Sequence, residues 1–386
     1  MSSVLGFIKR VRNISSPPEI PKAENPIRFG ILDAAKIAPE ALIKSAKSHS
    51  DVVVAAVAAR DKTKAETFAQ KWGIKKAYSG PNGYDDLLDD PEIDAVYNPL
   101  PNSLHYEWTL KALSKGKHVL LEKPSSDTAE ETRKMFELAE QKGLVLLEAF
   151  HYRFHPAVQR AKTLLDSGEL GAIKNLTGYL TLPDIGMFPK DDIRWDLSLG
   201  GGCMMDMGGY PLSAVRFLAG TDPVSVLSAE ADIRPPAAGL VDKGMTATFA
   251  FPNDVTASIK CHYGTPSALG FIPRLPELTI KVECEGGELT LTNFIAPMVW
   301  HSITVSKREG RGRVTRTEKA YTLEGGKGEP WWTTYRYQLE AFADTLKGRT
   351  PHYWMSAEDS VANMYWIERV YEKTGLRSRP ASTFAL

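Results

Sequence analysis

Between residues 27 and 150 the chain alternates short apolar runs with amphipathic stretches, and this alternation limits the fold more than any other feature. The runs at 28–32, 52–59, 95–98, 118–122 and 144–150 are apolar at successive rather than alternate positions, so they read as strands buried on both faces. Helical patterns at 37–47, 62–72, 104–114 and 127–141 separate them. Such strands, joined by right-handed helical crossovers, form a parallel sheet covered on both sides, with ligands beyond the carboxyl ends of the strands. The residues that follow each strand are therefore the candidates for binding and chemistry.

After residue 150 the pattern changes. A helix at 156–167 precedes a long strand at 173–182, and three glycines (Gly200, Gly201, Gly202) lead into a helix at 204–218. Strand-like runs follow in series at 224–233, 245–251, 256–262, 277–283, 288–291 and 300–305, and helices at 333–346 and 357–374 close the chain. Strands without intervening helices imply a mainly antiparallel sheet. The expected fold class is α/β: a Rossmann-type, doubly wound domain over residues 27–150, then an α+β substrate-binding and oligomerisation domain over 151–386. The last helix is expected to be able to pack back on the first domain. A large sheet with no helices assigned to its second face predicts a homodimer or higher homo-oligomer through that face.

Residues 1–26 stand apart. Val4, Ile8 and Val11 share a helical face beside Lys9, Arg10 and Arg12. A short helix that packs on the body or frays is the plainer reading; a mitochondrial targeting segment is the alternative, with no legible cleavage signal. Lys+Arg and Asp+Glu both number 47 in the 386 residues, which excludes the basic bias of a nucleic-acid or anionic-membrane binder. No apolar run approaches the ~18 residues of a bilayer-spanning helix. Three cysteines without CxxC spacing (Cys203, Cys261, Cys284) fit a reducing, cytoplasmic setting.

At the first strand–helix junction Gly30, Ala34, Ala35 and Ala38 keep the turn small, as a dinucleotide site requires, with Asp33, Lys36 and Ile37 alongside. A carboxylate at Asp33 beside a diphosphate costs Coulomb energy unless it turns away or is paired. The second strand ends in Arg60-Asp61. Arg60 suits the 2′-phosphate of NADP(H), favoured over NAD(H), while Asp61 suits a ribose hydroxyl.

His118-Val119-Leu120-Leu121-Glu122-Lys123-Pro124 resembles the strand and Glu-Lys-Pro signature of the Gfo/Idh/MocA oxidoreductases, the glucose–fructose oxidoreductase and inositol dehydrogenase family. The stretches 98–105, 148–153, 200–210 and 358–364 match in family order. The chain is most similar to the branch of dimeric dihydrodiol dehydrogenase and NADP-dependent D-xylose 1-dehydrogenase, because Tyr210 stands where many relatives have His. It departs from the family at Asp33, where glycine is usual. The resemblance implies a cis Lys123–Pro124 bond and cofactor contacts from Pro99, Leu100, Asn102, His105, Glu122, Arg153 and Trp195. It also implies a cleft lined by His151 and Arg153, with Arg194 flanking it.

Lys123, at the carboxyl edge of the sheet, can hydrogen-bond a substrate oxygen and lower the pKa of a neighbouring phenol. Asp206 and Tyr210, four residues apart, share a helical face. Tyr210 is the candidate proton acceptor and Asp206 the group that orients the substrate. Glu148, His151 and His155 do not make a metal site, since Pro156 would begin a helix that leaves His155 outside it. Tyr335, with Trp331 and Trp332, could stack on a sugar face or serve as core. The expected function is NADP(H)-dependent hydride transfer at a hydroxyl or carbonyl of a sugar or vicinal diol. The alternatives are a nicotinamide-retaining glycosidase of the same family and a non-catalytic NADP-sensing regulator.

Overall fold

The computed structural model describes residues 4–234, 241–267, 274–310 and 312–386. After α1 (Val4–Ser15), the chain forms β1 (Ile27–Leu32), a π-helical turn (Pro39–Ile43) running into α2 (Lys44–Lys47), β2 (Val52–Ala59) and α3 (Lys62–Trp72). It continues through β3 (Lys76–Ser79), α4 (Gly83–Asp89), β4 (Ala95–Asn98), α5 (Asn102–Ser114), β5 (His118–Leu121), α6 (Ala129–Gln141) and β6 (Leu146–Glu148). These strands make one parallel sheet in the order β3-β2-β1-β4-β5-β6. The order reverses between β1 and β4, and that switch point opens a crevice at the carboxyl ends. The short β3 and α4, four and seven residues long, leave no hydrophobic period in the sequence.

The second half contains α7 (Pro156–Asp166), β7 (Ile173–Pro183), a π-helical turn (Met204–Gly208) continuing as α8 (Gly209–Ala219), β8 (Ser225–Ile233), β9 (Asp242–Ala250) and β10 (Thr256–Thr265). There follow β11 (Glu277–Cys284), β12 (Gly287–Thr292), β13 (Ser302–Glu309), β14 (Gly312–Glu318), α9 (Thr334–Leu346) and α10 (Ala357–Thr374). The eight strands order as β14-β13-β12-β11-β7-β10-β9-β8. Every pairing is antiparallel except β7 with β10.

The sheet buries one face, where Leu176, Ile259, Ile280, Val282, Leu289 and Leu291 point inward beneath α7 and α8. The other face is polar. Direct cross-strand partners share a face, and the register sets Thr246, Lys260, Tyr179, Thr279 and Thr292 in one row and Thr248, Ser258, Thr177, Lys281 and Thr290 in the next. A face so rich in threonine does not need covering for hydrophobic reasons, so that part of the case for an oligomer falls away.

The C-terminal helices bind the two sheets together. Phe342 of α9 packs on Phe29 of β1 with ring centroids 5.5 Å apart. Glu368 of α10 accepts from the Ala129 amide at 2.9 Å, at the first turn of α6. The helix α1 is held differently from what its apolar face suggests: Phe7 and Ile8 are exposed, and the side chain of Val4 lies outside the described residues. Its anchor is Arg10, which donates to the Met298 and Val299 carbonyls, both at 3.1 Å, and lies 4.1 Å over the Tyr321 ring.

Candidate active site

The carboxyl ends of β1, β4 and β5 face the sheet of the second half across a cleft of about 450 Å³. Its floor on the first side comes from Ile37, the Pro99–Asn102 loop, His105, Glu122 and Lys123. A larger groove of about 900 Å³ runs between α6 and α10, away from these groups.

Lys123 stands two residues beyond β5, and the Lys123–Pro124 bond is cis. Its Nζ donates to the Asp206 carbonyl at 2.7 Å and to Asp206 Oδ1 at 2.8 Å, and lies 5.0 Å from the centre of the Tyr210 ring. Asp206 lies in the π-helical turn and Tyr210 just beyond it in α8, so the widened turn replaces the regular i,i+4 spacing, yet both line the cleft. Asp206 Oδ2 accepts from Arg194 Nε at 2.7 Å and from the Tyr263 hydroxyl at 3.2 Å. Burial would raise the Asp206 carboxyl, but Lys123 and Arg194 outweigh it and hold it far below the ordinary range. Asp206 is thus a fixed anion and the anchor of Lys123.

Tyr210 departs from the sequence expectation. Burial, and then Tyr335, Glu122 and Asp206, push its phenol well above the ordinary value, so Lys123 does not make it acidic. Its hydroxyl pairs with His151 Nε2 at 3.0 Å, and His151 Nδ1 pairs with Thr334 Oγ1 at 2.8 Å. His151 therefore stands behind Tyr210, buried, and does not line the cleft. Arg153 is also withdrawn: it pairs with Asp359 and donates to the Tyr353 hydroxyl at 2.9 Å and the Ser213 carbonyl at 2.9 Å, tying α8 to α10. Trp195 donates to the Pro189 carbonyl at 2.9 Å and stacks edge-on against Tyr263, while its neighbour Arg194 faces the cleft.

The nucleotide end explains two awkward residues. Asp33 has φ 73°, the left-handed region, where glycine is normal. Its carboxylate accepts from Lys64 Nζ at 2.7 and 3.0 Å, so its charge is turned toward α3 and paired. Asp61 caps α3, accepting from the Lys64 amide at 2.6 Å, and Arg60 is left exposed beyond β2. Ala34 and Ala35 keep the turn small and Lys36 is exposed. Gly30 has a packing reason, since a Cβ there would meet Leu87 Cδ2 at 2.6 Å. These residues fit a dinucleotide carrying a 2′-phosphate. Glu122 accepts from the Tyr97 hydroxyl at 2.6 Å, and both ring nitrogens of His105 lie against loop carbonyls, Pro124 at 2.8 Å and Leu100 at 2.7 Å. Asn102 donates to the Gly200 carbonyl at 2.8 Å, a bridge across the cleft.

His155 precedes α7 and caps it, accepting from the Ala157 amide at 3.1 Å. An apolar wall that no motif announces stands opposite Lys123, built by Leu180 and Leu182 of β7, Leu278 of β11, Ile295 and Phe188. No motif announces Tyr263 either. The period-two alternation of β7 is the signal that could have flagged the wall. Tyr335 lines the cleft, whereas Trp331 and Trp332 border a groove beside α1.

A doubly wound domain whose lysine meets an aspartate and a tyrosine of the second half across a cleft fits an oxidoreductase on a Rossmann scaffold. The chain belongs to the Gfo/Idh/MocA family: residues 27–150 match its oxidoreductase model, an NAD-binding Rossmann fold, and residues 158–290 match its C-terminal domain. It is similar to D-xylose 1-dehydrogenase (NADP(+)) 2 of Haloferax volcanii, 35% identical over 349 residues, covering 89% of this chain and 96% of the relative. It is also similar to trans-1,2-dihydrobenzene-1,2-diol dehydrogenase of Mus musculus, 31% identical over 61% of this chain and 68% of that one. Among solved structures, a 3-ketoreductase from Actinomadura kijaniata in complex with NADP and TDP-benzene superposes with a TM-score of 0.76 at 27% identity, covering 92% of this chain and 98% of that one.

Proposed function

We propose that the protein is an NADP(H)-dependent dehydrogenase that interconverts a hydroxyl and a carbonyl on a sugar or vicinal diol. Residues 27–150 form the nucleotide domain and 151–386 the substrate domain. Arg60 and Lys36 hold the 2′-phosphate, the small residues Ala34 and Ala35 admit the pyrophosphate, and Glu122 with the Pro99–Asn102 loop borders the nicotinamide. The cofactor, when bound, gives or takes a hydride at the nicotinamide. Lys123 donates a hydrogen bond to the reacting oxygen and stabilises negative charge as it develops there. Tyr210 exchanges the proton of that oxygen, and Asp206 fixes the ammonium in place. The wall of Leu180, Leu182 and Leu278 suits the carbon face of a ring whose hydroxyls meet the charged edge.

The observation that carries this reading is the reach of Lys123 across the cleft to Asp206, at 2.7 and 2.8 Å, with Tyr210 beside it. The family and the similarity to xylose and dihydrodiol dehydrogenases support it. NADPH fluorescence is followed while the protein and NADP+ meet pentoses, hexoses and trans-dihydrodiols. Turnover of at least one is expected, with kcat lowered by about 10²–10⁴-fold in Lys123→Met and NADPH binding retained. No turnover of any, or full activity in the variant, contradicts the reading. The three cysteines are free, in keeping with a cytoplasmic setting, and no helix among the described residues is long and apolar enough to cross a membrane. The homo-oligomer expected from the sequence stays part of the proposal, joined through the threonine-rich face by polar rather than apolar contacts.

A further inference from the structure

Tyr210 has one hydrogen-bond partner among the described residues, His151 Nε2 at 3.0 Å, and that imidazole is held in turn by Thr334 Oγ1 at 2.8 Å. The ring is fixed on its face as well, with its centroid 4.1 Å from that of Tyr335. His151 is buried, lies outside the cleft and makes no other side-chain hydrogen bond among the described residues, so neither substrate contact nor a surface role accounts for it.

Resting on the dehydrogenase reading above, we infer that His151 is a positioning residue that takes the phenol proton of Tyr210 during alcohol oxidation. In the resting site Nε2 accepts from the Tyr210 hydroxyl and Nδ1–H donates to Thr334, which leaves only lone pairs of Tyr210 Oη facing the cleft. With the opposite tautomer, Nε2–H would donate to Oη and the phenol proton would lack a protein acceptor among the described residues. As the substrate carbon loses its hydride to the nicotinamide, the substrate hydroxyl proton passes to Tyr210 Oη and the phenol proton passes to Nε2. The oxygen–hydrogen bond of the substrate breaks, a carbonyl forms and the imidazole becomes imidazolium, with Nδ1–H still on Thr334. Net charge is conserved over the step, because one positive charge would leave the nicotinamide as one arises on His151 behind the cleft. No tyrosinate forms, which matters where burial and neighbouring acids already disfavour one. Burial, and then Lys123, push the imidazole down to about 3, so in the resting site it is neutral with a bare Nε2, and the imidazolium is a transient that gives its proton back. Once product leaves, the proton returns to Oη and goes from there to cleft water; reduction runs the two transfers in reverse.

Nitrogen-15 NMR of the cofactor-free protein reads the tautomer directly. A bare Nε2 and a protonated Nδ1 are expected, with the fixed tautomer lost in Tyr210→Phe; a protonated Nε2 overturns the inference. In turnover, the wild type should give a curved, two-proton solvent-isotope inventory. His151→Gln keeps a hydrogen bond to Tyr210 but cannot take its proton. It should give a linear inventory, kcat lowered about 10²-fold and NADPH binding within about twofold of wild type. Thr334→Val leaves the imidazole in place and should lower kcat in the same sense, which guards against misfolding in the first variant. Unchanged kcat and inventory in both variants overturn the relay. The expected tautomer in a wild type that oxidises no alcohol overturns the dehydrogenase reading, and the relay with it, while the direction of the hydrogen bond stands.

Discussion

Asp33 shows how one residue reconciles a poor conformation with a useful charge. A non-glycine residue at φ 73° costs about 1 kcal/mol, and the ion pair with Lys64 keeps the carboxylate off the phosphates. Asp33→Gly removes that cost and frees Lys64 to face the pyrophosphate. NADPH titration should then show tighter binding by about fivefold, a gain of roughly 1 kcal/mol; weaker binding would mean that Asp33 itself contacts the nucleotide. Arg60→Ala should weaken NADPH by about 10–100-fold, as loss of a charged hydrogen bond of ~1.5–3 kcal/mol implies, and leave NADH unchanged. Equal losses for both would remove Arg60 from the 2′-phosphate. Lys123 was legible as a cleft residue because motif and strand end coincide, and Asp206 and Tyr210 because they follow the glycine-rich entry to a helix. The withdrawal of His151 and Arg153 was not, because a linear pattern does not say which way a side chain turns within a 3-10 turn such as His151–Phe154.

At the scale of elements, the glycine-rich segment before α8 is clamped from distant parts of the chain. Arg379 donates to the Gly201 carbonyl at 2.6 Å and to Asp242 Oδ1 at 2.8 Å, and Asp242 Oδ2 accepts from the Met204 amide at 2.7 Å. Gly202, at φ 134°, has no room for a side chain: a Cβ would stand 2.1 Å from Arg379 Nη2. Both members of the Arg379–Asp242 pair are fully buried. Arg379→Met leaves the carboxylate without its cation, and urea unfolding should show a loss of about 3–5 kcal/mol. A loss under 1 kcal/mol would show that the Tyr371 hydroxyl, which donates to Asp242 Oδ1 at 2.8 Å, and the Met204 amide hold Asp242 unaided. The glycines announced a close approach in the sequence, but nothing linked them to an arginine 178 positions away. The apolar strands of the parallel sheet were equally plain, whereas β14, mostly exposed and charged, carried no pattern to find.

For the whole molecule, buried titratable groups shape stability against pH. Burial pushes His49 and His151 down to about 3 and His105 and His301 down to about 4. Unfolding below pH 6.5 lets these imidazoles take up protons, so stability rises with pH up to the ordinary histidine value. Burial pushes the carboxyls of Asp127 and Glu148 up to about 8, with Glu131 adding to the shift at Asp127. From about pH 4 to 8 the native state holds protons that the unfolded chain has shed, which offsets part of the histidine gain and, above pH 6.5 where that gain ends, makes stability fall toward pH 8. Urea midpoints should peak near pH 6.5, and Asp127→Asn with Glu148→Gln should flatten the alkaline limb; an unchanged limb would show both carboxyls ionised in the fold. Light scattering tests the oligomer, with a dimer expected and a monomer contradicting assembly through the sheet.

The claim beneath all of this is that groups from both halves of the chain meet at one substrate oxygen. A crystal structure with NADP+ and an alcohol found by turnover tests it most directly. Lys123 Nζ and Tyr210 Oη should both lie about 2.6–3.2 Å from the same hydroxyl oxygen, with its carbon facing the nicotinamide. A hydroxyl that meets neither group, or a ring bound away from the cleft, would contradict the account.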